Sequence, residues 1–211
     1  MSNESPPVIL LHGLARSGRS MLPMQKLLER EGFRTWSVTY PSRERSIVSL
    51  AEWVAERVHG QFGDVPVMAV THSLGGIVLR HMTLHCKIER AVMLAPPNDG
   101  SRVASMLREF PLYRWLYGPA GQEVSDPSAW PQAPEHCAVI AGTRATSIAN
   151  PTSWLTRATK VFGTEPSDGT VAVSETKLPA MKEFHTVDAT HSWIMHHDAT
   201  QAHTLRFLRA K

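Results

Sequence analysis

Val67-Met68-Ala69-Val70-Thr71-His72-Ser73-Leu74-Gly75-Gly76-Ile77-Val78-Leu79 is the stretch on which the reading of this chain turns. It begins as a short apolar run of strand character and ends as an apolar helix opening. Between them Ser73 stands at the tip of a sharp turn. Gly75 and Gly76 let strand and helix approach closely. Ser73 then lies at a helix N-terminus, where free N–H groups and the helix dipole favour negative charge.

The rhythm extends in both directions. Strands are expected at 7–11, 33–40, 65–71, 91–95, 137–142 and 184–188. Helices are expected at 21–30, 46–58 and 74–85, and after Asp198, which is read as the cap of the last one. In the second helix Ile47, Leu50, Ala51, Val54 and Val58 recur at helical spacing, with Ser46 as N-cap. Such alternation implies a mostly parallel sheet of roughly six strands with helices on both faces, an α/β fold. The 211 residues suffice for one domain, 1–211, with a real core. Two stretches, 96–135 and 143–179, break the rhythm. Both follow strands and should emerge at the carboxyl edge of the sheet as loop or lid insertions.

Composition narrows the function class. Apolar residues make up 42% and charged residues 19%, with a net charge of +3. The cations form no dense run with interleaved aromatics, so nucleic-acid binding is set aside. Cys86 and Cys137 are too few and too far apart for a disulfide framework or a metal cage, and read as core thiols, Cys86 in an apolar helix. His81 and His85 have zinc-like spacing but no acidic partner between them, and read as an exposed helix face. No metal and no cofactor are expected. No apolar run reaches membrane-spanning length and no signal-peptide pattern opens the chain, so a cytoplasmic location is the expectation.

The serine stretch resembles the Gly-x-Ser-x-Gly nucleophile elbow of the α/β-hydrolases, with Thr71 in place of the first glycine. Three further segments extend the likeness in the family's order. Leu11-His12-Gly13-Leu14 follows the first strand. Pro166-Ser167-Asp168-Gly169-Thr170-Val171 follows the 137–142 strand. Asp188-Ala189-Thr190-His191-Ser192-Trp193 follows the last. The resemblance implies Ser73 as nucleophile, His191 as general base and Asp168 as the acid that orients it. It makes the backbone N–H groups of Leu14 and Leu74 the oxyanion donors, with His12 holding the loop. Asp99 is the main rival for the acid, since some members place theirs after the 91–95 strand. Asp188 lies too close in sequence to His191. His196 is the main rival base, and His185 falls within a strand. The likeness covers residues 8 to about 208. It is to the minimal form of the fold, as in small bacterial lipases and esterases, without the antiparallel strands that open larger members.

The expected substrate is a small-molecule ester or other acyl compound, cleaved through an acyl-enzyme. A thioesterase, amidase or acyltransferase would use the same residues, and a catalytically silent binding member is the remaining alternative. The segment Phe110-Pro111-Leu112-Tyr113-Arg114-Trp115-Leu116-Tyr117 is either a pocket wall or lid over an acyl group, or a helix packed on the core. Trp115, Tyr117 and Trp193 are the candidate substrate contacts. Trp154 and Leu155 are further rim candidates.

Overall fold

The computed structural model describes residues 5–146 and 151–210. Six parallel strands form one sheet in the order β2-β1-β3-β4-β5-β6. They are β1 (Val8–Leu11), β2 (Thr35–Ser37), β3 (Val67–His72), β4 (Ile88–Leu94), β5 (Cys137–Gly142) and β6 (Glu183–Val187). The helices are α1 (Leu22–Arg30), α2 (Ile47–Phe62), α3 (Leu74–Met82), α4 (Arg102–Leu107), α5 (Pro111–Glu123), α6 (Pro151–Thr159) and α7 (Asp198–Arg209). No helix among the described residues is long and apolar enough to cross a membrane.

Two-residue alternation along the strands sorts their side chains into two cores. Ile9, Leu11, Ala69, Met93 and Val139 pack with Leu50, Val54, Ile77 and Leu79 of α2 and α3. Val8, Leu10, Val70, Val92 and Ile140 pack on the opposite face with Met24 and Leu28 of α1 and with Phe207 and Leu208 of α7. Each of these strand residues is inaccessible to solvent. Truncating a large one to alanine would cost about 2–5 kcal/mol.

The chain starts one strand in from an edge of the sheet, goes out to β2 at that edge, and returns past β1 to build the other side. The strand order therefore reverses between β1 and β3. In open parallel sheets a crevice opens at that point, beyond the carboxyl ends of the two strands. Those ends carry His12-Gly13-Leu14 and Ser73.

Several boundaries differ from expectation for local reasons. The expected 33–40 strand is only three residues long, because β2 pairs with β1 over Thr35, Trp36 and Ser37 and the chain then leaves the edge. The helix after Ser73 stops at Met82, where the Thr83 hydroxyl donates to the Arg80 carbonyl, so Cys86 follows the helix and lies half-buried outside it. His81 is buried, not on an exposed face, because α3 is enclosed along its whole length; His85 is exposed. Ser46 does cap α2, accepting from Ser49 N–H at 3.2 Å. The N-cap position of α7 belongs to His197, without a side-chain cap bond, and Asp198 is the first helical residue. The two stretches that break the rhythm hold α4, α5 and α6. Within α5 the helix kinks at Gly118, whose φ of 60° and ψ of −160° are open to glycine alone; a Cβ there would lie 1.7 Å from the Arg43 carbonyl oxygen.

Candidate active site

Ser73 joins β3 to α3 with φ 53° and ψ −124°, a conformation costing about 1–3 kcal/mol in a residue with a side chain. The neighbouring backbone holds it there. Ser73 N–H donates to Leu94 O of β4 at 2.9 Å, and Gly76 N–H donates back to Ser73 O at 2.9 Å. The first turn of α3 lies so close to β1 that a Cβ on Gly75 would stand 2.7 Å from Leu11 O. Thr71 stands where the elbow pattern has glycine and is fully buried, its β-branch suited to a strand end. Gly76 is needed for another contact: a Cβ there would lie 2.9 Å from Pro96 Cβ.

Three side chains from distant loops meet at this tip. His191, on the loop after β6, places Nε2 3.0 Å from Ser73 Oγ. Its Nδ1 lies 2.6 Å from Asp168 Oδ2. With Nδ1–H donated to the carboxylate, Nε2 is left to accept the serine proton. Asp168 is buried, and its second oxygen accepts N–H groups from Thr170 (2.9 Å) and Val171 (2.8 Å). The backbone repeats the connection: His191 N–H donates to Asp168 O at 3.0 Å. Asp168 and His191 are therefore tied together both through their side chains and through their main chains.

Two more histidines brace the floor. His12 donates from Nδ1 to Gly13 O at 2.8 Å and accepts from Tyr40 N–H at Nε2 at 3.1 Å. Its ring stacks on Tyr40 at 3.9 Å, and the Tyr40 hydroxyl donates to His12 O. One donor and one acceptor nitrogen define a neutral ring, and burial pushes its pKa down. His72 is fully buried beside the base, its ring 4.7 Å from that of His191. Its Nε2–H donates to His191 O at 2.9 Å. Burial, and then the proximity of His191, hold its pKa well below the usual histidine value. Its Nδ1 has no partner among the described residues and faces Gly13, where a Cβ would come within 2.9 Å.

Leu14 and Leu74 stand on either side of Ser73 at the head of a cavity of about 810 Å³. Neither backbone N–H has a protein acceptor among the described residues. The cavity is lined mostly by apolar side chains of α4 and α5, among them Val103, Met106, Leu107, Leu116 and Tyr117, with Leu155 of α6. Of the three candidate contacts, only Tyr117 lines it. On α5, positions 112, 113, 116 and 117 form the facing stripe. Trp115 points away into solvent, with the Arg43 guanidinium 6.0 Å from its ring. Trp193 is half-exposed and lines a separate, polar pocket next door. Trp154 is exposed, outside the cavity.

The rival residues have other places. Asp99 is exposed. Asp188 pairs with Arg144 at 2.6 Å in solvent. His185 bonds Glu183 at 2.8 Å, and His196 is exposed against Trp193. The structure also shows supports that sequence reading missed. Glu175 is buried and accepts from Ala172 N–H (2.6 Å), Arg102 N–H (2.6 Å) and the Arg102 side chain (3.2 Å); Glu165 binds the same guanidinium at 2.6 Å. This clamp ties the start of α4 to the loop carrying Asp168. Arg80 is likewise buried and donates to the carbonyls of Pro131, Asn98 and Trp130. No local pattern marks the pairing of Glu175 with Arg102, 73 positions away, or of Arg80 with Pro131, 51 positions away.

Comparison with known proteins agrees with this fold. Residues 8–204 match the Alpha/beta hydrolase family. No curated protein sequence matches the chain. Among solved structures, the mature form of the Bacillus licheniformis lipase BlEst2 is similar at a TM-score of 0.76 and 18% identity, over 98% of this chain and 93% of that one. Its propeptide form gives 0.77 and 18%, with this chain fully covered but only 51% of the other. An esterase from Thermogutta terrifontis gives 0.59 and 14%, over 99% and 92%. At such identities these likenesses speak for the fold. The family match over nearly the whole length settles the affiliation: the chain belongs to the alpha/beta hydrolase family.

Proposed function

We propose that the protein is a serine hydrolase that cleaves carboxylic esters through an acyl-enzyme. The observation that carries this is the continuous chain from Ser73 Oγ through His191 to Asp168, at 3.0 and 2.6 Å. Ser73 attacks the ester carbonyl while His191 Nε2 takes its proton. Asp168 stabilises the imidazolium that forms. The carbonyl oxygen, now an anion, is received by Leu14 N–H and Leu74 N–H, whose freedom from protein acceptors suits them to that charge. His191 returns the proton to the leaving alcohol, then activates water to release the acid. The apolar cavity beside Ser73 suits an acyl chain. Lipase and esterase structures among the similar folds point the same way.

The test is hydrolysis of p-nitrophenyl esters of graded chain length, together with labelling by a fluorophosphonate. Ser73→Ala is expected to lose labelling and to fall by about 10⁶-fold in kcat. Equal rates in native and Ser73→Ala protein would end the proposal.

A further inference from the structure

The polar pocket beside the catalytic cavity has a chemistry of its own. It is a shallow, open pocket of about 530 Å³ between Arg16, Arg19, Ser17, Ser20, Ser192 and Trp193. Arg16, Ala15 and Ser192 line both spaces, so the two are immediate neighbours. Among the described residues, no carboxylate lines either one.

Arg16 is the unusual element. It is half-buried, yet its guanidinium makes no hydrogen bond or ion pair among the described residues, and neither does that of Arg19. Among the other arginines withdrawn from solvent, Arg80 is satisfied by three carbonyls and Arg102 by two glutamates, while Arg90 lies over the Phe207 ring at 5.8 Å. Removing water from an unpaired charge is costly. The backbone nevertheless holds Arg16 at this spot. Ala15 takes a left-handed φ of 53°, pinned by its N–H on Ser42 Oγ at 3.1 Å, and Arg16 N–H closes a turn on Gly13 O at 3.3 Å.

Position assigns the pocket to one half of the substrate. His191 must protonate the departing oxygen, so the alcohol leaves on the histidine's side. Ser192 and Trp193 directly follow that histidine and line the polar pocket. The acyl chain has the apolar α4–α5 end of the larger cavity, away from Arg16 and Ser192. We infer that the Arg16–Arg19 pocket binds an anionic group, phosphoryl or carboxylate, carried on the alcohol half of the ester. Paired guanidinium forks and serine hydroxyls match the oxygens of either group. In the reaction, water supplies the oxygen of the released acid and the proton of the released anionic alcohol, and only the acyl C–O bond breaks. The inference rests on the ester-hydrolase reading for the side it assigns, and on the unpaired guanidinium for the binding itself.

Three substrates with one acyl chain test it: 1-octanoylglycerol, 1-octanoylglycerol 3-phosphate and O-octanoyl lactate, with octanoate release as the readout. The native protein is expected to favour one charged ester over the neutral one in kcat/KM. Which one it favours separates phosphoryl from carboxylate recognition. Arg16→Gln should lower that charged-to-neutral ratio about ten- to a hundredfold, and Arg16→Lys should restore part of it. Arg19→Gln, at an exposed position that does not threaten folding, should lower the ratio several-fold. Calorimetric titration of Ser73→Ala with 1-octanoylglycerol 3-phosphate and with O-octanoyl lactate, each below its micellar concentration, reads the pocket without turnover. Adding Arg16→Gln should weaken the tighter of the two about tenfold or more. Hydrolysis of all three esters at ratios that neither arginine moves overturns the pocket and leaves the hydrolase standing. Arginine-dependent binding without hydrolysis does the reverse.

Discussion

Asp168 is 1% exposed, whereas Phe110 and Leu112, across the same cavity on the α4–α5 side, are 58% and 66% exposed. The two walls of one site are built on different terms. At the strand ends, side chains are held by hydrogen bonds that start from neighbouring strands. On the helical wall, contacts with the cavity are apolar and half in water, and α5 is broken at Gly118. In the proposed reaction, ordered backbone supplies position where a proton moves over 3.0 Å, and a looser apolar surface supplies volume for an acyl chain. Regions with few buried contacts open at lower free energy than the core, so the helical wall should be the more adaptable half.

The largest effect separates the two walls outright. Asp168→Asn keeps the volume and can still accept from Thr170 and Val171 N–H, but offers Nδ1 the wrong partner and favours the unproductive tautomer. A loss of about 10⁴ in kcat is expected, with KM little changed. Phe110→Ala on the helical wall should alter kcat/KM less than tenfold. Comparable losses in both variants would break the distinction between the walls.

The same contrast explains what was legible in the sequence. Strand–helix alternation, the turn at Ser73 and the order of the three polar motifs are local patterns, and each leaves its mark within about ten residues. The α/β sheet could therefore be read in advance, as could the segments that now meet at Ser73. Trp115 could not be placed, because an aromatic run does not say which side of a helix faces the core before the helix has a neighbour. Nor could Glu175, whose partners Arg102 and Ala172 are assembled only by folding. His72 sat in plain view in the serine motif, but its bond to the His191 carbonyl, 119 positions away, needs the closed site. Strand ends misjudged by a few residues, as at β2, reflect edge pairing that ends when the neighbour ends.

A second, smaller effect concerns pH. His12, His72 and His81 are each held by burial below the usual histidine value of 6.5; His12 and His72 lie at the strand ends, on β1's loop and β3, and His81 in the last turn of α3. In the unfolded chain they take up protons near that value, and in the folded protein they do so only at lower pH. The unfolded state then binds more protons, so the stability they contribute is complete above pH 6.5 and is lost as pH falls toward their folded values. Each adds up to about 1.4 kcal/mol per pH unit over that window. His72→Gln keeps a donor for His191 O and removes the titration. Denaturant unfolding between pH 7.5 and 5.5 should show a shallower decline in this variant than in native protein. Identical slopes would place the acid sensitivity elsewhere and remove one difference between the walls.

The smallest effect sharpens the description of the helical wall itself. Met106 on α4 and Leu116 on α5 line the cavity and remain partly in solvent. Met106→Trp fills cavity space without entering either sheet core, so the melting temperature should move by no more than about 2 °C, as for substitutions outside close packing. The profile over ester chain length should change instead. Longer p-nitrophenyl esters lose kcat/KM relative to the butyrate by about tenfold, because each methylene denied its apolar contact forfeits about 1 kcal/mol or more. Leu116→Ala should shift the profile the other way. If neither variant moves it, the acyl chain does not lie along α4 and α5. If Met106→Trp lowers the melting temperature as a core substitution would, the wall is packed as tightly as the strand ends. It would then share their role of holding position rather than yielding to the substrate.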